Sequence, residues 1–533
     1  MQLVENTLIT AVVPIFTNLG AAVLPIVLAA VGSALAVLFR PRELLRLCRE
    51  NPVAFVNWVA VLAGFALCAF LGFNFISGTG KQRAIAAQPH FDWARIAENI
   101  IAQENSGKTA TVLSGATSSK ANARSSGEVE STTPPPPATN ARRTPEHLTL
   151  LWRFQPEDTM FLAKPAVFSN RVYFAGCQSD LGSYTGVLAC LDGETGQPIW
   201  QVSELGDEPL KPFFSSPALT ADGRYLVIGQ GLHEDRDCSL LCFETASGKL
   251  KWSVKTPLHI ESSPVVQGDL AVVGAGAIEG KDGQPTSDPG FVLAVSISDG
   301  KQVWRHPVND PESSPTIDGD GVVYVGSGFN GNAVVALRSE SDDRLRQQSM
   351  ERLKWRRGLD YPVTGGTVLA DNSVVVSGGN GDLVHSNRNA GGLVSALDRA
   401  TGNIRWSTSF ADSVLGTVAV QGDSVFCPVR TGEVVALNMA NGKQRWQTHL
   451  SGDSPIVAGC VARSGRVFAV SSDGYLGVLN AETGTTIERL YLNDQAKPGS
   501  GLTASTPLLQ GERLIVGSET GGAQCFVGAA LAQ

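Results

Sequence analysis

The chain has 533 residues, 43% of them apolar and 17% charged, with a formal net charge of −8 at neutral pH. That composition is globular, which excludes a wholly disordered or fibrous protein. The negative balance, with no clustering of Lys or Arg after residue 146, excludes nucleic acid as a partner, because a phosphate-binding surface needs the opposite sign.

In chain order, residues 8–39 and 52–77 come first and are almost free of charge. The second stretch, beginning at Pro52, has the ~20 consecutive apolar residues with which a helix crosses a ~30 Å hydrocarbon layer. The first places its span near Ala21 to Phe39, after a lead-in interrupted by Pro14, Gly20 and Pro25. A cleaved signal peptide fits less well, since no Lys or Arg precedes the run and the run is too long. Residues 1–80 are therefore expected to form a transmembrane α-helical hairpin. Its loop carries Arg40, Arg42, Arg46 and Arg49, which outweigh Lys81 and Arg83 and should face the cytoplasm. Everything after the hairpin then lies on the periplasmic, or extracytoplasmic, side of the inner membrane.

Residues 81–104 contain Trp93, Ile96, Ala97, Ile100 and Ile101 at helical spacing, with Asp92, Arg95, Glu98 and Asn99 opposite, and predict a juxtamembrane amphipathic helix. Residues 105–145 are Ser, Thr, Ala, Gly and Pro without periodicity, including Pro134 to Pro137. Such a segment buries too little apolar surface to order itself, and reads as a disordered tether with an r.m.s. reach of roughly 35 Å.

From residue 146 to 533 one unit repeats. Its hairpin reads CLDGETGQPIW, CFETASGKLKW, AVSISDGKQVW, ALDRATGNIRW and ALNMANGKQRW, ending at Trp200, Trp252, Trp304, Trp406 and Trp446, with a decayed copy ending at Glu488. Ahead of each hairpin lies a β-branched run such as RVYFAG from Arg171 or VVYVGSG from Val322, of strand length and with no 3.6-residue periodicity. Asp192, Asp398, Asn438 and Asn480 can accept hydrogen bonds from turn amides, while Gly196, Gly248, Gly300, Gly402, Gly442 and Gly484 supply the backbone that closes the turn. Each unit is a small antiparallel meander, and one indole per unit is suited to joining it to its neighbour.

The tryptophans Trp200, Trp252, Trp304, Trp355, Trp406 and Trp446 are 40 to 52 residues apart, the length of a four-stranded propeller blade. Trp355 belongs to this series although a charged insertion has replaced its turn. Trp152 precedes the first complete unit, and the last unit ends before reaching a Trp of its own. The fold class expected is all-β: an eight-bladed propeller of four-stranded antiparallel blades, closed by pairing the Trp152 strand with the segment around Cys525, which removes an exposed sheet edge.

The spacing A-x-D-x-x-T-G-x-x-x-W, met in full by Ala396, Asp398, Thr401, Gly402 and Trp406, resembles the PQQ-type (quinoprotein-type) propeller repeat with its tryptophan-docking motif. Two families share that repeat. One is the quinoprotein alcohol and sugar dehydrogenases; the other is the non-catalytic propeller of outer-membrane β-barrel assembly, the BamB-like lipoprotein subunit. The first resemblance implies PQQ, a Ca²⁺ ion held by Glu, Asn and Asp, a catalytic Asp and a vicinal cysteine pair. No two cysteines here are adjacent, and Cys238 and Cys242, four residues apart on a strand, are some 13 Å from each other at ~3.3 Å per residue. The second resemblance implies a scaffold that binds proteins through the propeller face or rim. The chain departs from that lipoprotein too, since Cys68 follows Leu67 inside an apolar run and a hydrophobic hairpin stands where a lipid anchor would.

A second repeated feature lies just ahead of the first strand of each unit: Ser215-Ser216, then Glu261-Ser262-Ser263 and Glu312-Ser313-Ser314, then Asp360 and Asp412. Glu261, Glu312, Asp360 and Asp412 are the channel-mouth candidates, since close carboxylates attract a cation such as Ca²⁺. The alternative is that these are solvated entry loops whose hydroxyls satisfy strand-end amides. With no CxxC spacing and scattered His, neither a metal nor a cofactor is assigned. The expected function is a non-catalytic, membrane-anchored interaction scaffold; the alternative is a PQQ-dependent dehydrogenase or a sensor of a sugar or quinone.

Overall fold

The β-branched runs ahead of the hairpins become the second strands of eight blades. In the computed structural model, which describes residues 147–528 and residue 531 apart from 181–182, 233–234, 278–288 and 385, eight antiparallel sheets follow one another along the chain. Blade 4 is typical, with strands Thr316–Ile317, Val322–Ser327, Ala333–Arg338 and Leu353–Gly358. Its middle strands are buried on both faces by the adjoining sheets and so read as unbroken apolar runs. The fourth strand borders solvent and alternates between half-buried and exposed. The expected transmembrane hairpin, juxtamembrane helix and linker lie outside the described residues, among which no helix is long and apolar enough to cross a membrane.

Blades 1 to 7 are built from consecutive segments. Blade 8 takes three strands from the C-terminal end, Leu508–Gln510, Arg513–Gly517 and Ala523–Val527, and its outermost strand from the N-terminal end, Thr149–Phe154. Trp152 is the register partner of Cys525, so the ring closes as the sequence suggested. Blade 1 carries an extra two-residue strand, Thr159–Met160, and the charged insertion of blade 4 folds into a short helix, Asp342–Gln347.

The hairpin signature follows from the geometry of its own sheet. Directly across from each tryptophan is a small residue: Cys190 opposite Trp200, Cys242 opposite Trp252, and Ala294, Ala336, Ala396 and Ala436 opposite Trp304, Trp355, Trp406 and Trp446. The register shifts by one just beyond that pair. At the turn, the Asp398 carboxylate accepts from the amides of Ala400 and Thr401 and from the Thr401 hydroxyl. The core is distributed between blades; one cluster joins Val227, Leu240 and Cys242 of blade 2 to Val273, Leu293 and Val295 of blade 3.

Each indole reaches over to the next blade. The Nε1–H of Trp200 donates to the Thr245 carbonyl at 3.0 Å, Trp252 to Ile297 at 2.8 Å, Trp304 to Ser339 at 2.9 Å and Trp355 to Arg399 at 3.1 Å. Trp406 and Trp446 bond Met439 and Ala481 in the same way. The turn glycines have a second task besides their positive φ: a Cβ on Gly402 would lie 2.6 Å from the Trp355 ring, and Gly196, Gly248, Gly300, Gly442 and Gly484 face Trp152, Trp200, Trp252, Trp406 and Trp446 equally closely. Blade 4 has no such glycine, and there the Arg352 guanidinium stacks 4.4 Å from the Trp304 ring. Where the repeat decays, Glu488 accepts the Leu148 amide with both carboxylate oxygens.

Candidate functional site

The first strands of neighbouring blades are the strands that approach one another, so they form the wall of the central channel. The residues just before them form a hydrogen-bonded belt. Ser215 Oγ accepts from the Gly229 amide of its own blade and donates to the Ser262 carbonyl of the next at 3.0 Å. Ser262 repeats this with Gly274 and Ser313, and Ser505 with Gly517 and Ala163, across the closing joint. Ser313 Oγ donates to Gly365 O at 2.7 Å. Gly365 has no hydroxyl, and Ser377 of the adjacent strand fills that place and donates to Gly416 O at 3.1 Å. These serines are buried. They are inter-blade clamps: the hydroxyls do accept strand amides, as the entry-loop reading expected, but they are buried and not solvated.

The following residue of each motif does something different. Ser216 Oγ accepts from the Lys164 amide, Ser263 Oγ from Ser216, Ser314 Oγ from Ser263, Thr417 Oγ1 from Gly366, and Thr506 Oγ1 from Gly459. These five side chains are half-buried and line the channel, and Lys164 holds the equivalent place in blade 1. Lys164 is exposed, and partial desolvation by the protein around it lowers its pKa from the ordinary lysine value.

Two residues before that ring lies the channel mouth. Glu261 and Glu312 take this place in adjacent blades 3 and 4, and Glu312 is 3.3 Å from Nε2 of the buried His259. Asp360 and Asp412 do not: the residues in register with the glutamates are Thr364 and Leu415, which precede Gly365 and Gly416 in the belt. Asp360 is exposed. Asp412 is buried, accepts from Ser386 Oγ and is 3.9 Å from the Arg430 guanidinium. The four carboxylates do not converge, and among the described residues no three His, Cys, Asp or Glu side chains are placed to hold a metal ion.

Apart from Thr364, the rest of the mouth is apolar. Leu383, from the segment between the second and third strands of blade 5, reaches across to Leu162 of blade 1, Phe214 of blade 2, Val457 of blade 7, and Leu502 and Ala504 of blade 8. Arg430 holds that segment, donating through Nε to the Asp382 carbonyl at 2.8 Å and through Nη1 to Ser386 Oγ at 2.7 Å. Neither Lys164 nor Leu383 was singled out by sequence reading. The signals were an AKP in blade 1 in line with the SSP of blades 2 to 4, and a Leu-Val pair in an otherwise polar insertion.

Ca²⁺ and PQQ, which one of the two resemblances implies, fit this mouth poorly. Leu162, Phe214, Val457 and Leu383 occupy one side, and Glu312 and Asp412 are engaged by His259 and by Ser386 and Arg430. All seven cysteines of the described residues are buried.

The outer surface offers a second candidate. Ile487 on the outer strand of blade 7, Leu150 and Leu151 on that of blade 8 and Ile199 on that of blade 1 are exposed large apolar side chains on three consecutive blades. The outer edge of the Thr149–Phe154 strand has no sheet partner among the described residues.

The family model described as Outer membrane protein assembly factor BamB matches residues 146–391 and 390–526. The outer membrane protein assembly factor BamB of Yersinia pestis is 22% identical over 360 residues, 64% of this chain and 80% of that protein. Among solved structures, BamB from Moraxella catarrhalis is similar with a TM-score of 0.53 and 16% identity, over 72% of this chain and 98% of that one. A quinohemoprotein alcohol dehydrogenase from Comamonas testosteroni is similar with a TM-score of 0.51 and 16% identity, over 72% and 77% of the two chains. At these identities the structural likenesses speak to fold alone.

Proposed function

The chain belongs to the family described as outer membrane protein assembly factor BamB, and from that membership we propose that its propeller is a non-catalytic scaffold for other proteins in envelope or outer-membrane protein assembly. The observation that carries this reading is the family match through nearly the whole propeller, residues 146–526. The apolar closure of the channel mouth by Leu383 supports it, because a redox cofactor would need that space and a set of free carboxylates. No cofactor is proposed.

In this reading the hydrophobic stretches within residues 8–39 and 52–77 hold the protein to the inner membrane, and residues 105–145 tether the propeller on the periplasmic side. Partners bind the rim across blades 7, 8 and 1. An exposed outer strand flanked by apolar side chains suits strand addition, in which main-chain hydrogen bonds supply affinity and side-chain pockets supply selectivity.

Co-purification of the full chain from solubilised envelopes, with identification of what accompanies it, tests the proposal: outer-membrane assembly proteins are expected. Dye-linked alcohol oxidation by the purified chain after addition of PQQ and Ca²⁺ would replace the scaffold with the dehydrogenase.

A further inference from the structure

Blade 4 carries a positive charge where blades 1, 2, 3, 5, 6 and 7 are neutral or negative. The last residue of the third strand is Asp192, Glu244, Ser296, Asp398, Asn438 and Asn480 in those blades and Arg338 in blade 4, each in register with the first residue of its second strand. In blade 5 this residue neutralises the outer strand: Asp398 accepts from Arg405, which precedes Trp406, at 2.7 Å. Arg445, which precedes Trp446 in blade 6, is paired with Asp423. Lys354 precedes Trp355 in blade 4, and with Arg338 in place of the turn carboxylate it has no ion pair among the described residues.

Here the even spread of Lys and Arg expected for the propeller breaks down: residues 338–358 hold seven Lys or Arg against four Asp or Glu, in a chain whose formal net charge is −8. Two of the four carboxylates are used inside the insertion, Asp342 by Arg352 and Asp343 by Arg346. Arg338, Arg356 and Arg357 donate to neutral groups, the carbonyls of Glu351, Gly331 and Gly402 and the Asn403 side chain. None of the three, nor Lys354, has a carboxylate partner among the described residues. Lys354 lies at the register shift and Arg356 on the regular part of the outer strand, and both are exposed.

The outer edge of that strand, Leu353–Gly358, has no sheet partner among the described residues. Cations on an open edge repel a second copy of the same edge. The same charges attract a strand that carries carboxylates, because opposite charges side by side on paired strands stabilise the pairing. A lipid surface would use the charges and leave the open N–H and C=O groups unmatched, so a protein segment matches more of what the edge offers. Blade 4 is also opposite blade 8, where the N-terminal strand joins the ring of eight.

We propose that the outer edge of blade 4 docks an acidic, extended segment of a partner protein, with Arg338, Lys354 and Arg356 as charge partners and the main chain of Leu353–Gly358 as the ladder. This surface is chemically unlike the apolar rim of blades 7, 8 and 1, lies across the ring from it, and does not require that rim to be occupied.

The full chain in neutral maltoside micelles, titrated against a fluorescein-labelled peptide of alternating Glu and Thr and followed by fluorescence anisotropy, tests this. Saturable binding is expected in the wild type, weaker by at least about tenfold in the Lys354→Glu, Arg356→Glu double variant and unchanged in Arg445→Gln, whose cation is held within its own blade. Lys354→Glu alone, which leaves the Arg356 bond to Gly331 in place, should weaken the peptide by a smaller factor and guards against a folding defect in the double variant. A peptide of alternating Glu and Pro has the same charge but lacks every second N–H, and should bind less tightly. Equal binding by wild type and double variant, no saturable binding in the wild type, or equal binding of the Glu-Pro peptide would each overturn the assignment. Displacement of the peptide by micelles doped with phosphatidylglycerol, and not by those doped with phosphatidylcholine, would overturn it in favour of a lipid surface.

Discussion

The indole N–H of Trp152 donates to the carbonyl oxygen of Gly193 at 2.9 Å, and that bond joins blade 8 to blade 1. Trp152 belongs to the only blade assembled from both ends of the described chain, so the joint that closes the ring uses the same contact as the joints that build it. It also has a reinforcement that the Trp304 joint lacks: Arg513 Nη1 donates to the same Gly193 carbonyl at 2.9 Å, as Arg171 does to the Thr245 carbonyl of the Trp200 joint and the Tyr324 hydroxyl to the Arg399 carbonyl of the Trp355 joint.

This difference ranks two substitutions. Trp152→Phe leaves Gly193 O with the Arg513 bond and should cost about 1 kcal/mol. Trp304→Phe leaves the Ser339 carbonyl without its indole donor and weakens the Arg352 stack, for a cost of about 2–3 kcal/mol. Urea unfolding followed by fluorescence measures both, and the reverse order would contradict this account of the joints.

The turn glycines separate backbone strain from crowding. Gly268 has φ +59° and open space around a would-be Cβ, whereas Gly402 has φ +71° and the Trp355 ring at 2.6 Å. Gly268→Ala should cost about 1 kcal/mol through φ alone, and Gly402→Ala at least about 1 kcal/mol more, because the ring must shift. Equal unfolding midpoints for the two variants would remove the indole contact from the explanation of the motif.

How far these features could be read from sequence follows from how local their causes are. The hairpin was legible because Asp398, Thr401, Gly402 and Trp406 act within one turn, and ring closure was legible because Trp152 and Cys525 were fragments of one unit. The second reason for the glycines was hidden, since the ring each one meets comes from the preceding blade. The Ser-Ser motif was visible as a pattern, and its bonds to strand amides were legible, but its burial was not, because the hydroxyls also bond residues about one blade length away. Asp360 and Asp412 entered the mouth set by resemblance to ESSP, and offsets of four and three residues put them elsewhere. The destination of Leu383, across the channel from its own blade, is tertiary information that no local pattern carries.

The cysteines supply a chemical test of burial. Burial pushes the thiols of Cys177, Cys238, Cys242, Cys460 and Cys525 up to about 12 and that of Cys190 up to about 11. Thiolate is the reactive form, so a Cys48→Ser, Cys68→Ser variant should resist Ellman's reagent at pH 8 when folded and release seven equivalents in denaturant. Rapid labelling of the folded chain would mean that the blades open far more readily than their packing implies.

Acid sensitivity should arise in the turns. Arg405, followed by the hydroxyl and amide of Thr401, holds the Asp398 carboxyl down to about 2. A folded-state value below the unfolded ~3.9 stabilises the fold above pH ~4, and that stabilisation is lost as pH falls from about 4 towards 2. Asp398→Asn keeps an acceptor for the turn amides but does not titrate. Its urea midpoint should be below that of the wild type at pH 7 and converge with it near pH 2.5; parallel curves across that range would assign the acid limb to other groups.

The central claim, a scaffold that engages other proteins at its rim, is tested most directly by photocrosslinking in intact cells. A photoreactive residue is placed in the full chain at position 150, 199 or 487, with position 404 on the outer strand of blade 5 as a control that is equally exposed. The account predicts discrete adducts with outer-membrane assembly proteins from the three positions on blades 7, 8 and 1 and none from position 404. Absence of adducts at all three, or the same adducts from position 404, would contradict it.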